Sequence, residues 1–475
     1  MIADVKREDL NDAWFRENLN AFVMEHLKMR KDIQKMIDYQ DGIHSPILNR
    51  HFVNEFVPNN KLVNNFPKYI TTVAVGYFMG NPISYQSVDV KNDETVKEFT
   101  SILKKVDIES VDIDIATSCS ITGRGYELLK PYELDDVILP RSYALDSRNA
   151  FVVRENTVES EPLFGVYYTT PRESTRLING SYLIVATDTH LYEYVYNDSG
   201  LVLDKPAVPH YFGIVPIIEY KNNHGGRGDY QDVISLIDAY NLLQSDRVND
   251  KEQLIDAILM LKGVNLEDNA VVSNIKENRI LVLPDDGDGE WLTKQLQEAD
   301  VEILRKTLEN DIHKFSLTPN ITDEQFSGNA SGVAMQYKLF GFEQLIKTKE
   351  RFFQEGLRLR LKGYLNFLSK KNILNDISPR DVDFIFNRNL PTNNIEVAQM
   401  VSQLQNILST ETLISQIPFV KDIQVELQRI EAEDEKYTAN MQKGLGFPNI
   451  NEDEDGEEDD ESDREAADET REESR

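Results

Sequence analysis

Residues 326–335 read FSGNASGVAM, a run of small side chains that leads straight into a long apolar-periodic stretch. From there to Ser369, Met335, Leu339, Phe342, Ile346, Phe353, Leu357, Leu361, Tyr364 and Leu368 recur mostly in steps of three or four. That spacing puts them on one face of a single helix over 333–369. A helix this long exceeds the usual globular range and needs an extended support. The glycines ahead of it raise the question of a phosphate cradle. A phosphate loop requires Gly, four residues, a second Gly, then Lys and Ser or Thr. Counting from Gly328, the second position is Val333, and the first lysine afterwards is Lys338. The spacing fails, and the segment reads instead as a flexible loop with Ser331 as the N-cap of the helix.

Upstream of the loop, two amphipathic segments face each other in sequence. Residues 229–262 carry Val233, Leu236, Ile237, Tyr240, Leu243, Leu254, Ile258 and Leu261; residues 299–316 carry Val301, Leu304, Leu308, Ile312 and Phe315. Each has one apolar stripe and a charged face, as an antiparallel helix pair would. Between them lie a strand-like run, Arg279–Pro284, and a turn-rich acidic run, Asp285–Glu290. Eighteen helical residues span about 27 Å, so the pair should carry a small β tip away from the body. Further upstream, residues 1–45 read as helix, as does a segment starting near Pro67 and ending at Gly80-Asn81-Pro82. Residues 95–130 also read as helix. Short β-branched and aromatic runs between 137 and 222, such as Phe164–Thr170 and Ser181–Ala186, predict an antiparallel β-rich region. Beyond the long helix, Val382–Arg388 predicts a strand, and 392–442 three helical runs. The fold class is α+β.

Composition narrows the function. The 475 residues, 40% apolar with 20 Tyr and 21 Phe, are enough for several packed regions. The single cysteine, Cys119, leaves no intramolecular disulfide and fits a reducing compartment. No run approaches the ~20 apolar residues of a membrane helix, and residues 1–9 lack the apolar core of a signal peptide; a soluble, unexported chain without a membrane partner is expected. Of the net charge of −31, the last 25 residues contribute −12, from fifteen acids against three arginines, leaving −19 on the rest. Wrapping DNA by phosphate neutralisation needs a basic surface, so DNA can pass such a protein but not be gripped by it. Gly123-Arg124-Gly125 lacks the third glycine of a dinucleotide fingerprint, the seven histidines show no metal-binding spacing, and Ser118-Cys119-Ser120 has no neighbouring His. Asp285, Asp286, Asp288 and Glu290 could recruit a cation, but an exposed acidic hairpin turn accounts for them better. The expectation is no catalytic residue, no cofactor and no metal.

The order of these parts resembles the portal proteins of long-tailed double-stranded-DNA bacteriophages. Local stretches agree in order: Lys35–His44 through Leu48-Asn49-Arg50, Asn59–Phe66 through Gly80-Asn81-Pro82, Phe386–Pro391, and Leu413–Asp422. The resemblance implies a β-rich wing formed by 1–228 together with the long helix and strand of 333–391. It implies stem helices at 229–262 and 299–316, a small α/β clip at 263–298, a helical crown at 392–445, and a disordered acidic tail at 446–475. It makes 317–332 the tunnel loop, with Gln325, Phe326, Ser327, Gly328, Asn329, Ala330 and Ser331 facing DNA. It puts Arg279, Trp291 and Lys294 in the clip and has Leu304, Leu308 and Ile312 pack against neighbouring or partner stem helices. The implied assembly is a ring, twelvefold in the virion, at one capsid vertex, assembled in the host cytoplasm. Its implied partners are the chain itself, double-stranded DNA in the channel, terminase, scaffolding protein, major capsid protein and head-to-tail connector. The alternatives are another virion structural protein, such as a connector or minor head protein, or an ATP-using packaging enzyme.

Overall fold

The computed structural model describes residues 1–52, 58–171, 174, 176–255, 258–262, 288–292, 298–322, 332–388, 394–405, 407–417, 420, 423, 426–433 and 436. The chain divides into two units, residues 1–390 and 391–475. In the first, helix α1 (Asp12–Gln40) is capped by the Asn11 side chain, which accepts from the Trp14 amide. Its buried Phe15, Leu19, Val23 and Leu27 pack on a six-stranded sheet. In spatial order the strands are β1 (Ile2–Ala3), β5 (Ala150–Glu155), β6 (Pro162–Thr169), β7 (Tyr182–Ala186), β8 (His190–Asn197) and β9 (Gly200–Pro209). All neighbours are antiparallel except β1 with β5, which accords with the antiparallel reading of 137–222. A second sheet places β3 (Arg124–Leu134) between β10 (Ile217–Lys221) and β4 (Val137–Leu145). Leu128, Tyr126 and Ile217 of this sheet meet Val152, Ile184 and Ala186 of the first.

The largest core gathers around α8 (Gly332–Lys370), the long helix. Of the face read from the periodicity, Phe342, Ile346, Phe353, Leu357, Leu361, Tyr364 and Leu368 are buried and Leu339 is half-buried, while the Met335 side chain lies outside what is described. They pack with α3 (Phe66–Met79), α4 (Asp93–Lys105), α5 (Ile108–Thr122) and the second sheet. Pro67 occupies the first turn of α3 and the Asn65 side chain caps it. Strand β13 (Val382–Ile385) returns to pair antiparallel with β2 (Ser84–Ser87). A four-residue helix α2 (Ser45–Leu48) follows α1. Helices α6 (Ile234–Ile255) and α7 (Glu298–Ser316) form the pair anticipated between 229 and 316.

Three expectations are corrected. The helix read over 1–45 begins only at Asp12, since Ile2 and Ala3 add a parallel strand to the edge of the large sheet. The helical reading of 95–130 stops at Thr122, because Gly123 adopts a left-handed conformation (φ 82°) that ends α5, and residues 124–130 are strand. Leu128 and Leu129 favour helix locally, but pairing with β10 on one side and β4 on the other overrides that preference. Likewise the helix expected through 262 ends at Ile255; Ile258–Lys262 is strand β11, antiparallel to β12 (Asp288–Leu292), with Met260 opposite Glu290. A five-residue apolar run suits either state, and a pairing partner some thirty positions away decides it. The run Arg279–Pro284 lies outside the described residues. In the second unit, α9 (Asn394–Leu404) precedes α10 (Thr410–Ser415), which Ser409 caps through the Thr412 amide, and 426–433 is again helical. Among the described residues no helix is long and apolar enough to cross a membrane.

Candidate assembly and channel surfaces

Helices α6 and α7 run antiparallel. Arg247, near the end of α6, donates to Glu298 and to Glu302 (3.0 Å) at the start of α7, and Arg305 donates to Tyr240 (3.2 Å), Glu302 and Glu309. At the other end Ile312 is wholly buried with Val233, Ile237 and Tyr240, and Leu308 is half-buried beside them. Leu304 is different: it and Ile303 are 49% and 64% exposed, a step of apolar surface the monomer leaves uncovered. Acids outnumber Lys and Arg on the two helices by nine to five, so this pair presents a net negative surface.

From its middle to near its far end, α6 is fixed to residues 60–64 by polar side chains on one face. Asn241, Ser245 and Asn249, spaced four apart, accept the amides of Asn64 (2.7 Å), Leu62 (3.0 Å) and Asn60 (2.8 Å), spaced two apart. Four helical residues rise about 6 Å and two extended residues about 6.6 Å, so an extended strap and a helix keep register over three contacts. The Asn241 amide also donates to His44 Nδ1 (2.8 Å), leaving Nε2 to donate to the Tyr39 carbonyl (3.1 Å). Tyr39 stacks on that imidazole at 4.6 Å and its hydroxyl donates to Asp238. Burial lowers the His44 pKa, consistent with the neutral ring this network requires. Arg50 adds an ion pair to Asp246 (2.6 Å).

Two buried ionic centres anchor the long helix, one to the segment just before α6 and the other to α5 and β3. Lys349 reaches Asp229, just before α6, at 2.5 Å; the same carboxylate accepts from Ser120 and Asn222. Eleven residues along, Arg360 bridges Asp112 of α5 (2.5 Å) and Glu127 of β3 (2.7 Å), and Glu127 also accepts from the Tyr220 hydroxyl. Burial pushes the Asp112 carboxyl up to about 6 despite the neighbouring guanidinium. Arg388 closes the far side by pairing with Glu343 (3.1 Å) and Glu350 (2.5 Å), while Tyr77 donates to Glu343. Most of these groups are paired with one another, though among the described residues Arg360 Nη2 and the neighbouring Tyr85 hydroxyl make no hydrogen bond. Cys119 is buried, its thiol pushed up to about 12 by desolvation, which makes it a packing residue. Among the described residues no group of His, Cys, Asp or Glu could hold a metal ion.

Of the residues singled out in the sequence, Leu304, Leu308 and Ile312 lie on one helix in graded burial. Trp291 lies in β12 opposite Leu259. Gln325, Phe326, Ser327, Gly328, Asn329, Ala330, Ser331, Arg279 and Lys294 fall outside the described residues, as do Asp285 and Asp286. Sequence reading missed the strap ladder and the two ionic centres. The ladder left a trace, since Asn241, Ser245 and Asn249 repeat every fourth position; the ionic centres left none, because their ion pairs join residues 120 or more positions apart.

A family model described as "Phage portal protein, SPP1 Gp6-like" matches residues 20–439. The curated portal protein of Bacillus phage SPP1 is 25% identical over 423 residues, covering 83% of this chain and 80% of its own. The portal protein of Clostridium phage phiCD119 is 21% identical over 406 residues, covering 80% of this chain and 86% of its own.

Proposed function

The chain belongs to the SPP1 Gp6-like family of phage portal proteins, and we propose that its helix pair, loop and long helix divide the work of a portal among them. Portal function is structural: a ring of copies in the capsid through which DNA is packaged. In the proposed division α6 and α7 are the stem, the β11–β12 pair belongs to the clip, residues 1–228 (helices α1–α5 and both sheets) with 333–391 form the wing, and 392–445 is the crown. Residues 317–332 are the tunnel loop, with 325–331 facing DNA and Gln325 and Phe326 the side chains to test first. The observation that carries this reading is the antiparallel pair, bearing a strand pair at one end and held along the middle and distal half of α6 by the strap. Its negative surface suits a channel, since a duplex is repelled rather than held by counterion release.

A copy number of twelve, contacts with terminase, scaffolding protein, major capsid protein and head-to-tail connector, and residence at the virion's portal vertex belong to the same proposal. Electron microscopy of the purified protein tests it: rings with a central hole are expected, and a compact monomer under every assembly condition overturns it. Deleting Ser327–Ser331 should leave rings intact while impairing packaging or retention of DNA; unchanged packaging rejects the loop assignment. An ATPase assay on the isolated chain should give no turnover, in contrast to a packaging enzyme.

A further inference from the structure

The solvent face of α8 is opposite in charge to the molecule that carries it. Across the helix from its buried residues, Lys347, Arg351, Glu355, Arg358 and Lys362 follow one another in steps of four, four, three and four, and all five are exposed. At 3.6 residues per turn this spacing keeps them within about 80° of arc along roughly 22 Å of helix. Four of the five are cations, in a chain whose first 450 residues net −19. The nearby carboxylates of the same helix are committed elsewhere, since Glu343 and Glu350 both hold Arg388, and Lys347 stands 3.9 Å from Glu343. Among the described residues Arg351, Arg358 and Lys362 form no ion pair; Arg358 has only the Phe384 ring, 5.9 Å away. The stripe therefore keeps two guanidinium forks and an ammonium free, with a second ammonium held only loosely.

We propose that this stripe is a contact surface for the phosphate backbone of double-stranded DNA, a weak attachment along one helix and not a wrap around the protein. The choice of DNA as the polyanion rests on the portal reading. A local run of positive potential on an acidic body confines a polyanion to that run. Planar guanidinium forks match phosphate oxygens, and the lysines at either end add point charge. A stripe of about 22 Å spans six or seven base pairs at roughly 3.4 Å each and reads no bases. A contact between copies fits this stretch less well, because the core of a protein interface is depleted of charge and centred on apolar or aromatic anchors. On this face such anchors are confined to the exposed Tyr337 and Phe340, and the nearer of them lies about 10 Å before Lys347.

Fluorescence anisotropy of a short labelled duplex, titrated with the full-length protein over a range of salt, tests the assignment. Neutralising three or four phosphates should give a slope of log affinity against log salt near −3. Arg351→Gln combined with Arg358→Gln should weaken binding by about tenfold or more at low salt and flatten the slope by roughly 2. Glu355→Gln removes the one acid of the stripe and should tighten binding several-fold, a gain that misfolding cannot produce. Lys97→Gln with Lys104→Gln, exposed on α4, should leave binding unchanged. Wild-type affinity in the double arginine variant, or an equal loss in the α4 control, overturns the proposal. Acetylation of Lys347 and Lys362 should be slowed by the duplex; if ring assembly without DNA slows it as much, the stripe is a contact between copies and the proposal fails. Rings that form but bind no duplex reject the stripe alone, whereas salt-dependent binding by a chain that forms no rings upholds the stripe and rejects the portal arrangement.

Discussion

At the residue scale, burial decides what each ionisable group does. His26 is almost wholly buried against Tyr168 (Nδ1 to hydroxyl 2.8 Å), and desolvation, aided by the charge of Arg30, lowers its pKa to about 4. A base with a depressed folded pKa contributes stability that is fully present above its unfolded value near 6.5 and lost as pH falls toward 4. From pH 7 to 5 this linkage costs about 2 kcal/mol. His26→Gln keeps a hydrogen-bonding group for Tyr168 but takes up no proton, so its thermal midpoint should fall less steeply than wild type over that window; parallel slopes would reject the assignment. Asp112 acts oppositely. Its folded value, raised to about 6 by burial, makes its contribution greatest below its unfolded value and lost as pH rises through 6. Arg360 is the larger risk, for removing it strands two buried carboxylates, Asp112 and Glu127. Arg360→Met should destabilise by about 3–5 kcal/mol in chemical denaturation at pH 7, and adding Asp112→Asn and Glu127→Gln should restore part of that loss. None of this was legible in the sequence, where these residues are isolated charges in three unrelated segments.

At the element scale, the long helix was legible because its support runs from Phe342 to Leu368, so the apolar face repeats over that span with one break at the buried Lys349. The end of α6 was not, since Ile258–Lys262 becomes a strand only through β12. Local propensity misled in the same way at Tyr126–Leu129, where two strand neighbours fix the backbone. Glycines within α8 show how tertiary contact sets the sign of a helix-propensity effect. Replacing glycine by alanine inside a helix ordinarily gains about 0.5–1 kcal/mol. Gly341 is exposed, and a methyl group added there would find only Leu317 Cδ2, at 3.9 Å, so Gly341→Ala should show that gain. Gly356 lies directly on the Tyr220 ring, itself fully buried and held through its hydroxyl by Glu127, and a Cβ there would overlap the ring atoms. Gly356→Ala should therefore destabilise by about 1–3 kcal/mol, as overpacking does. Denaturant midpoints of the two variants should move in opposite directions; a gain at both sites would mean that the α8–β10 contact is looser than the structure has it.

At the scale of the whole molecule, the question is which surface a ring would cover. The helix pair separates inward from outward packing along one helix: Ile312 and Leu308 meet Ile237 and Tyr240 of the same chain, whereas Ile303 and Leu304 stay largely open to solvent. A ring closes through heterologous contacts, in which one patch meets a different patch on the next copy. An exposed apolar step on a helix that otherwise carries nine acids to five bases with its partner is a natural member of such a contact. Placing a charge on an exposed position costs the monomer little, but burying that charge unpaired at an interface is expensive. Ile303→Asp and Leu304→Asp should thus leave circular dichroism unchanged and the monomer's unfolding free energy within about 0.5 kcal/mol of wild type while moving the sedimentation profile from ring to monomer. Ile312→Asp should fail differently, by destabilising the subunit itself, because that side chain is wholly buried in its own chain. Rings that persist in both exposed-site variants would show that the subunit contact runs elsewhere, and the step at Ile303 and Leu304 would then have to face another component of the virion.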